Sequence, residues 1–190
     1  TQGYSSAASD VYKRQVLESV IIEDFFNSDN KWYDMPAGWY VVEGDVTITP
    51  RLDTHGAVNL ILTDDCHLTV PWGINVKEGD TFTIYAQSTA EASMGKLTAC
   101  LPELSDHEKS VWPVAGLSGI GAGVRVWAAN DNYYENEGTI IINGGTVRTE
   151  ALEKGNNVWA KSVGIGTCQF GYGGSVTING GTVIAEAACD

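Results

Sequence analysis

From Gly38 to Cys100 apolar and polar positions alternate in short runs, each closed by Gly, Asp, Pro or Asn. "WYVVEGDVTITP", "GAVNLILTDDCHLTV", "GINVKEGDTFTIYAQ" and "GKLTAC" are rich in β-branched and aromatic residues, which suit a pleated, half-buried surface. Val58, Leu60 and Leu62 alternate with Asn59, Ile61 and Thr63, while Phe82 and Ile84 alternate with Thr81, Thr83 and Tyr85. A period of two assigns the first set of each pair to the interior, and a one-residue slip would turn it to solvent. From Gly38 onward no segment carries a convincing helical period, so an all-β chain is expected.

The second half repeats itself. "TIIINGGTV" (Thr139–Val147) returns as "SVTINGGTV" (Ser175–Val183), 36 residues later. Three successive isoleucines leave the first copy ambiguous, but the second places threonine at the middle position. Ile140, Ile142, Val176 and Ile178 are therefore expected to face inward, with Ile141 and Thr177 outward. Val147 and Val183 return inward, and the Asn-Gly-Gly corner supplies residues that tolerate positive φ. "AGLSGIGAG" (Ala115–Gly123) resembles "AKSVGIGTC" (Ala160–Cys168), 45 residues on, and is expected to mark a second corner. The longer spacing is absorbed around "VWAANDNYYENEG". Strand-sized repeats with an insertion confined to one corner are the signature of a stacked β-solenoid. Asn-Gly is also a hairpin signal, so a hairpin within "INGGTV" is the competing reading.

Charge and composition narrow the function. Asp and Glu total 24 against 11 Lys and Arg in 190 residues, a formal charge of −13. Such a chain repels phosphate backbones and has no basic, aromatic-interleaved patch, so no nucleic-acid partner is expected. No apolar run is long enough to span a bilayer as a helix. Cys66, Cys100, Cys168 and Cys189 form no CxxC pair. The spacing of Cys168 and Cys189 suits neighbours joined by a disulfide in a secreted protein; small buried hydrophobes are the alternative. "SSAASDVYKRQ" (Ser5–Gln15) resembles the translation of a transposon-type sequencing adapter, which assigns residues 1–15 to a tail rather than to the fold. Residues 16–37 are expected to form a lead-in or capping segment, and 38–190 the β domain.

"GWYVVEGDVTI", "VNLILTDDCHLTV", "GINVKEGDTFTIYAQS", "GKLTA", "GIGAG" and "GTIIINGGTV" occur in an order that resembles a Gly-rich repeat region of large secreted or cell-surface proteins of gut anaerobic bacteria. The resemblance covers Gly38 to the C-terminus. It implies a right-handed parallel β-helix, extracellular or at the cell surface, here truncated at both ends. The chain departs from that pattern in its long segments at Leu101–Pro113 and Val126–Gly138, and in Thr167-Cys168 where glycine is usual.

Catalytic motifs are weak. "GIGAG" lacks GxGxxG spacing, and "GLSG" is not followed by the glycine of a nucleophile elbow. His55, His67 and His107 have no HExxH spacing. Asp64 and Asp65 are adjacent, and strand neighbours point to opposite faces, so they do not make a glycosidase pair. The better candidate is the insertion, where Trp127, Tyr133 and Tyr134 lie beside Asn130. Trp159 and Tyr172 are expected on the next turn of chain. Flat aromatic rings with amides and carboxylates suit sugars; packing of these rings on their own strands is the plainer alternative. Asp131, Glu135 and Glu137 offer oxygen ligands for Ca2+, without a recognised calcium signature. No other cofactor is expected. The leading expectation is a non-catalytic structural or adhesive module. Its partners would be glycans, host or bacterial surfaces, or further copies meeting at open solenoid ends. A carbohydrate-binding module and a polysaccharide lyase or hydrolase follow in that order.

Overall fold

The computed structural model describes residues 14–23, 31–100, 118–122, 124–127, 131–134, 136–150, 163–167 and 171–186, with 124–127 and 131–134 described as backbone. The chain is all-β, with no helix among these residues. Its strands are β1 (Arg14–Val16), β2 (Trp32–Val42), β3 (Asp45–Thr47), β4 (Arg51–Leu62), β5 (His67–Thr69), β6 (Ile74–Asn75), β7 (Thr81–Ala86) and β8 (Lys96–Cys100). There follow β9 (Ser118–Ile120), β10 (Val124–Trp127), β11 (Asp131–Tyr134), β12 (Thr139–Ile142), β13 (Thr146–Glu150), β14 (Val163–Ile165), β15 (Ser175–Ile178) and β16 (Thr182–Glu186).

Pairing among them is parallel except in the β10–β11 hairpin. It resolves into three ladders. The first joins Trp32–Pro36 of β2, the N-terminal half of β4, β6, β9 and β14. The second joins Gly38–Val42, the C-terminal half of β4, β7, β12 and β15. The third joins β3, β5, β8, β13 and β16. Each pass of the chain visits the ladders in this same order. β2 and β4 bend from the first ladder into the second, at a register shift between Pro36 and Gly38 and at Gly56, whose φ is 76°. The boundary expected at residue 37 thus falls inside β2. Arg14 and Gln15, assigned above to the tail, lie in β1, which pairs with Trp39–Val41.

In-register stacking makes the core a set of apolar columns. Val58, Phe82 and Ile140 form one, and Leu60, Ile84 and Ile142 another, all fully buried. Leu52, Ile74 and Ile120 line the first ladder, while Leu68, Leu97 and Val147 line the third. Val58, Leu60, Leu62, Phe82 and Ile84, read as inward from the alternation, are buried, and so is Thr83, read as outward. Val176 and Ile178 stand in register with Ile140 and Ile142 yet are 43% and 55% exposed. β15 ends its ladder, so its inward side chains have a stacked neighbour on one side only.

The "INGGTV" repeat is not a hairpin. β12 and β13 belong to different ladders and pair with their counterparts β15 and β16, 36 residues on. The glycines turn the chain between ladders, Gly145 and Gly181 at φ of 94° and 86°. Asn143 Oδ1 accepts from Asn179 Nδ2 at 2.8 Å, so the repeated asparagine stacks on itself. "GIG" differs from expectation in part, for its first two residues end a strand and only the last glycine, Gly121 or Gly166, bends the chain, at φ of 136° and 121°. Gly119 and Gly164 lie within β9 and β14, where a Cβ on Gly119 would sit 2.6 Å from the Gly164 carbonyl and 2.9 Å from that of Ala99. The missing side chain lets the first ladder close on the third. Arg51, buried in the first ladder, donates to the carbonyls of Trp72, Ser118 and Gly121 and so ties three passes together. Cys66 and Cys100 are free thiols, and burial pushes both up; Cys168 and Cys189 lie outside the described residues.

Candidate functional site: the corner between the first and second ladders

The ladders themselves are regular, and the chain departs from regularity where it crosses from the first to the second. The first two crossings are tight, at Ala37 and Gly56. The third is the loop Val76–Asp80. The fourth carries the β10–β11 hairpin, with Trp127 opposite Asp131 and Arg125 opposite Tyr133, before Asn136–Gly138. The fifth ends in Tyr172–Gly174. Hydrogen bonds stitch these three wider crossings together. Glu78 N donates to Asn136 O at 2.8 Å, Gly138 N to Val76 O at 3.0 Å, and Glu137 N to Tyr172 O at 3.1 Å. Asn136 works both ways: Nδ2 donates to Glu78 Oε2 at 2.9 Å, and Oδ1 accepts from Tyr172 N at 3.2 Å.

A cleft of about 360 Å³ opens on this corner, lined by Glu78–Thr81, Asn136–Thr139 and Tyr172–Gly174. Three carboxyl groups line it, in very different states. Asp80 belongs to the fold: Oδ1 accepts from Gly56 N at 2.6 Å and Oδ2 from Thr54 Oγ1 at 3.4 Å. Glu78 accepts from Asn136. Glu137 is only 7% exposed, and its Oε1 has no hydrogen-bond partner. Gly174 lies over it, since a Cβ there would come within 2.6 Å of Glu137 Cβ and Cγ. Removal from water pushes the Glu137 carboxyl up to about 7, because burial penalises the charged form. Beside this buried acid Tyr172 is 76% exposed. The arrangement can offer a ligand a proton donor or an acceptor at Glu137 and an aromatic face at the mouth.

Of the residues singled out from sequence, Glu137 and Tyr172 meet in this cleft. Trp127, Tyr133, Tyr134 and Asp131 are placed in the adjoining hairpin as backbone, while Asn130, Glu135 and Trp159 lie outside the described residues. Glu137 is a buried cleft acid here.

Two other clusters escaped the sequence reading. On the first ladder Asp34, Asp53 and Asn75 stand in register. His55 Nε2 lies 3.1 Å from Asp34 Oδ1 and 3.6 Å from Asp53 Oδ2, and the three ligand atoms fall within 4.8 Å of one another. These residues have the donor set of a metal site. Lys77 Nζ, however, lies 3.3 Å from both Asp53 oxygens, and Asn75 Nδ2 donates to Asp53 Oδ1 at 2.8 Å. The stacked carboxylates, which would repel in register, are thus offset by Lys77 and hydrogen-bonded by Asn75 and His55. On the second ladder Trp39 and Tyr85 stack at 5.4 Å and 29°. Both clusters arise from ladder register across about twenty residues or more, which no local motif encodes.

No protein-family model, curated protein or solved structure matches the chain.

Proposed function

We propose that this chain is a non-catalytic module of a secreted or cell-surface bacterial protein, a right-handed parallel β-helix that holds binding surfaces apart and in fixed orientation. The carrying observation is the set of three parallel ladders that five passes of the chain visit in constant order. Right-handedness follows from the general preference of parallel crossover connections. The extracellular setting follows from the sequence resemblance. Catalysis by a carboxyl pair needs two groups available to one bond, whereas Asp80 and Glu78 are already engaged.

A second reading, favoured by the corner cleft, is carbohydrate binding. An exposed tyrosine beside a buried acid and an amide matches the chemistry of a sugar ring and its hydroxyls. Both readings are tested with wild-type protein and Tyr172→Ala on a glycan array, together with incubation on pectin and mucin glycans. The module reading expects no new reducing or unsaturated ends, and their release would overturn it. Array signal that disappears in Tyr172→Ala supports the sugar site; signal that ignores the substitution removes it.

A further inference from the structure

Glu137 sets a narrower condition on what enters the cleft. An acid held nearly out of water, with one oxygen lacking any partner, is costly unless a donor or counter-charge reaches it. The described residues lining the cleft supply no counter-charge, for no Lys, Arg or His is among them, and the Asn136 amide donates to Glu78 rather than to Glu137. Among the described residues Lys77 faces Glu137 across an antiparallel bridge but places its ammonium on Asp53. The other titratable groups among the described residues of the cleft are Glu78, Asp80 and Tyr172. Two of these are acids, and the third offers a ring face that attracts cations. A neutral hydroxyl can pair with the protonated carboxyl but cannot offset the charge of the ionised one. An ammonium group supplies three donors and the opposite charge together.

We propose that the corner cleft receives a protonated amino group on Glu137, so that the glycans it selects are those carrying free amino sugars. This rests on the carbohydrate reading and specifies its ligand class. The carboxyl, which burial holds at about 7, gives up its proton when the ammonium docks. Affinity therefore rises as pH increases toward 7 and falls again once the amine itself loses its proton.

The test is calorimetric titration of the intact chain at pH 6 and 7. The probes are a β-1,4-linked glucosamine tetramer and its fully N-acetylated counterpart, against wild type, Glu137→Gln and Tyr172→Ala. Loss of one charge-assisted hydrogen bond corresponds to about tenfold or more in affinity. Wild type is expected to prefer the free amine by at least that factor and to release protons on binding, seen as heats that vary with buffer. Glu137→Gln is expected to abolish both the preference and the proton release. Equal affinity for the two tetramers, or a preference that survives Glu137→Gln, overturns the ammonium assignment and leaves the carbohydrate reading standing. Absence of binding by either tetramer removes both.

Discussion

At the scale of single residues, Glu137 carries the clearest physical consequence. Folded, its carboxyl titrates at about 7, against an ordinary value of 4.5. Between those two values the folded state holds more protons than the unfolded one. Its contribution to stability is therefore complete below about pH 4.5 and is lost as pH rises through 7. Glutamine keeps the shape without the charge. We expect Glu137→Gln to be more stable than wild type at pH 8 by roughly 1–3 kcal/mol, with the difference vanishing near pH 4.5. Urea unfolding at the two pH values measures this, and parallel pH profiles would refute it. That a chain retains a destabilising acid at a cleft is what a binding role predicts. From sequence, Glu137 was visible only as one acid among several in "NYYENEG". Its burial comes from Gly174, a contact across 37 positions that local pattern does not encode. The Asp34–Asp53–His55 group was hidden for a related reason, since it depends on the parallel register of β2 on β4, which pairs Asp34 with Asp53 and Pro36 with His55.

At the scale of elements, alternation and repetition were sufficient to say which side of each strand faces inward. Strands without those signals were read less well. β9 and β14 are glycine-rich and looked like corners, yet their glycines are strand positions that admit a neighbouring backbone. β6 has two residues, too few for any period. The segment before Gly38 is set apart as a lead-in by an alternating pattern read from Gly38 onward, whereas the chain runs from Trp32 to Val42 as one strand with an irregularity between Pro36 and Gly38. Aligned repeats also made Ile142 and Ile178 equivalent, and they are not. Ile142 is fully buried between Ile84 and Ile178, while Ile178 is 55% exposed. Truncating a buried isoleucine typically costs about 2–5 kcal/mol. We therefore expect Ile142→Ala to lose that much and Ile178→Ala to lose about 1 kcal/mol or less. Thermal or chemical unfolding of the two variants compares them directly. Equal losses would mean that β15 is covered in solution by something stacked upon it.

At the scale of the whole molecule, stacked ladders make stability nearly one-dimensional, because each pass of the chain rests mainly on the passes beside it. Among the described strands β7 and β12 have partners on both sides, whereas β15 and β16 each have one. On an edge strand alternate amides point away from the ladder, and the exposed Val176 and Ile178 contribute little burial to hold it down. Local opening should therefore be easiest at β15–β16 and hardest in the middle, so that hydrogen exchange is graded along the stack. We expect amides of β15 and β16 to exchange at least about tenfold faster than those of β7 and β12. Mass-spectrometric exchange on peptides spanning each strand resolves the difference. A dependence on protein concentration gives the measurement a second use. If copies associate edge to edge, protection of β15–β16 rises with concentration while β7 and β12 stay unchanged, because only an exposed ladder edge can accept another strand. Uniform protection at every concentration would instead describe a single cooperative unit, and the one-dimensional account would have to be abandoned.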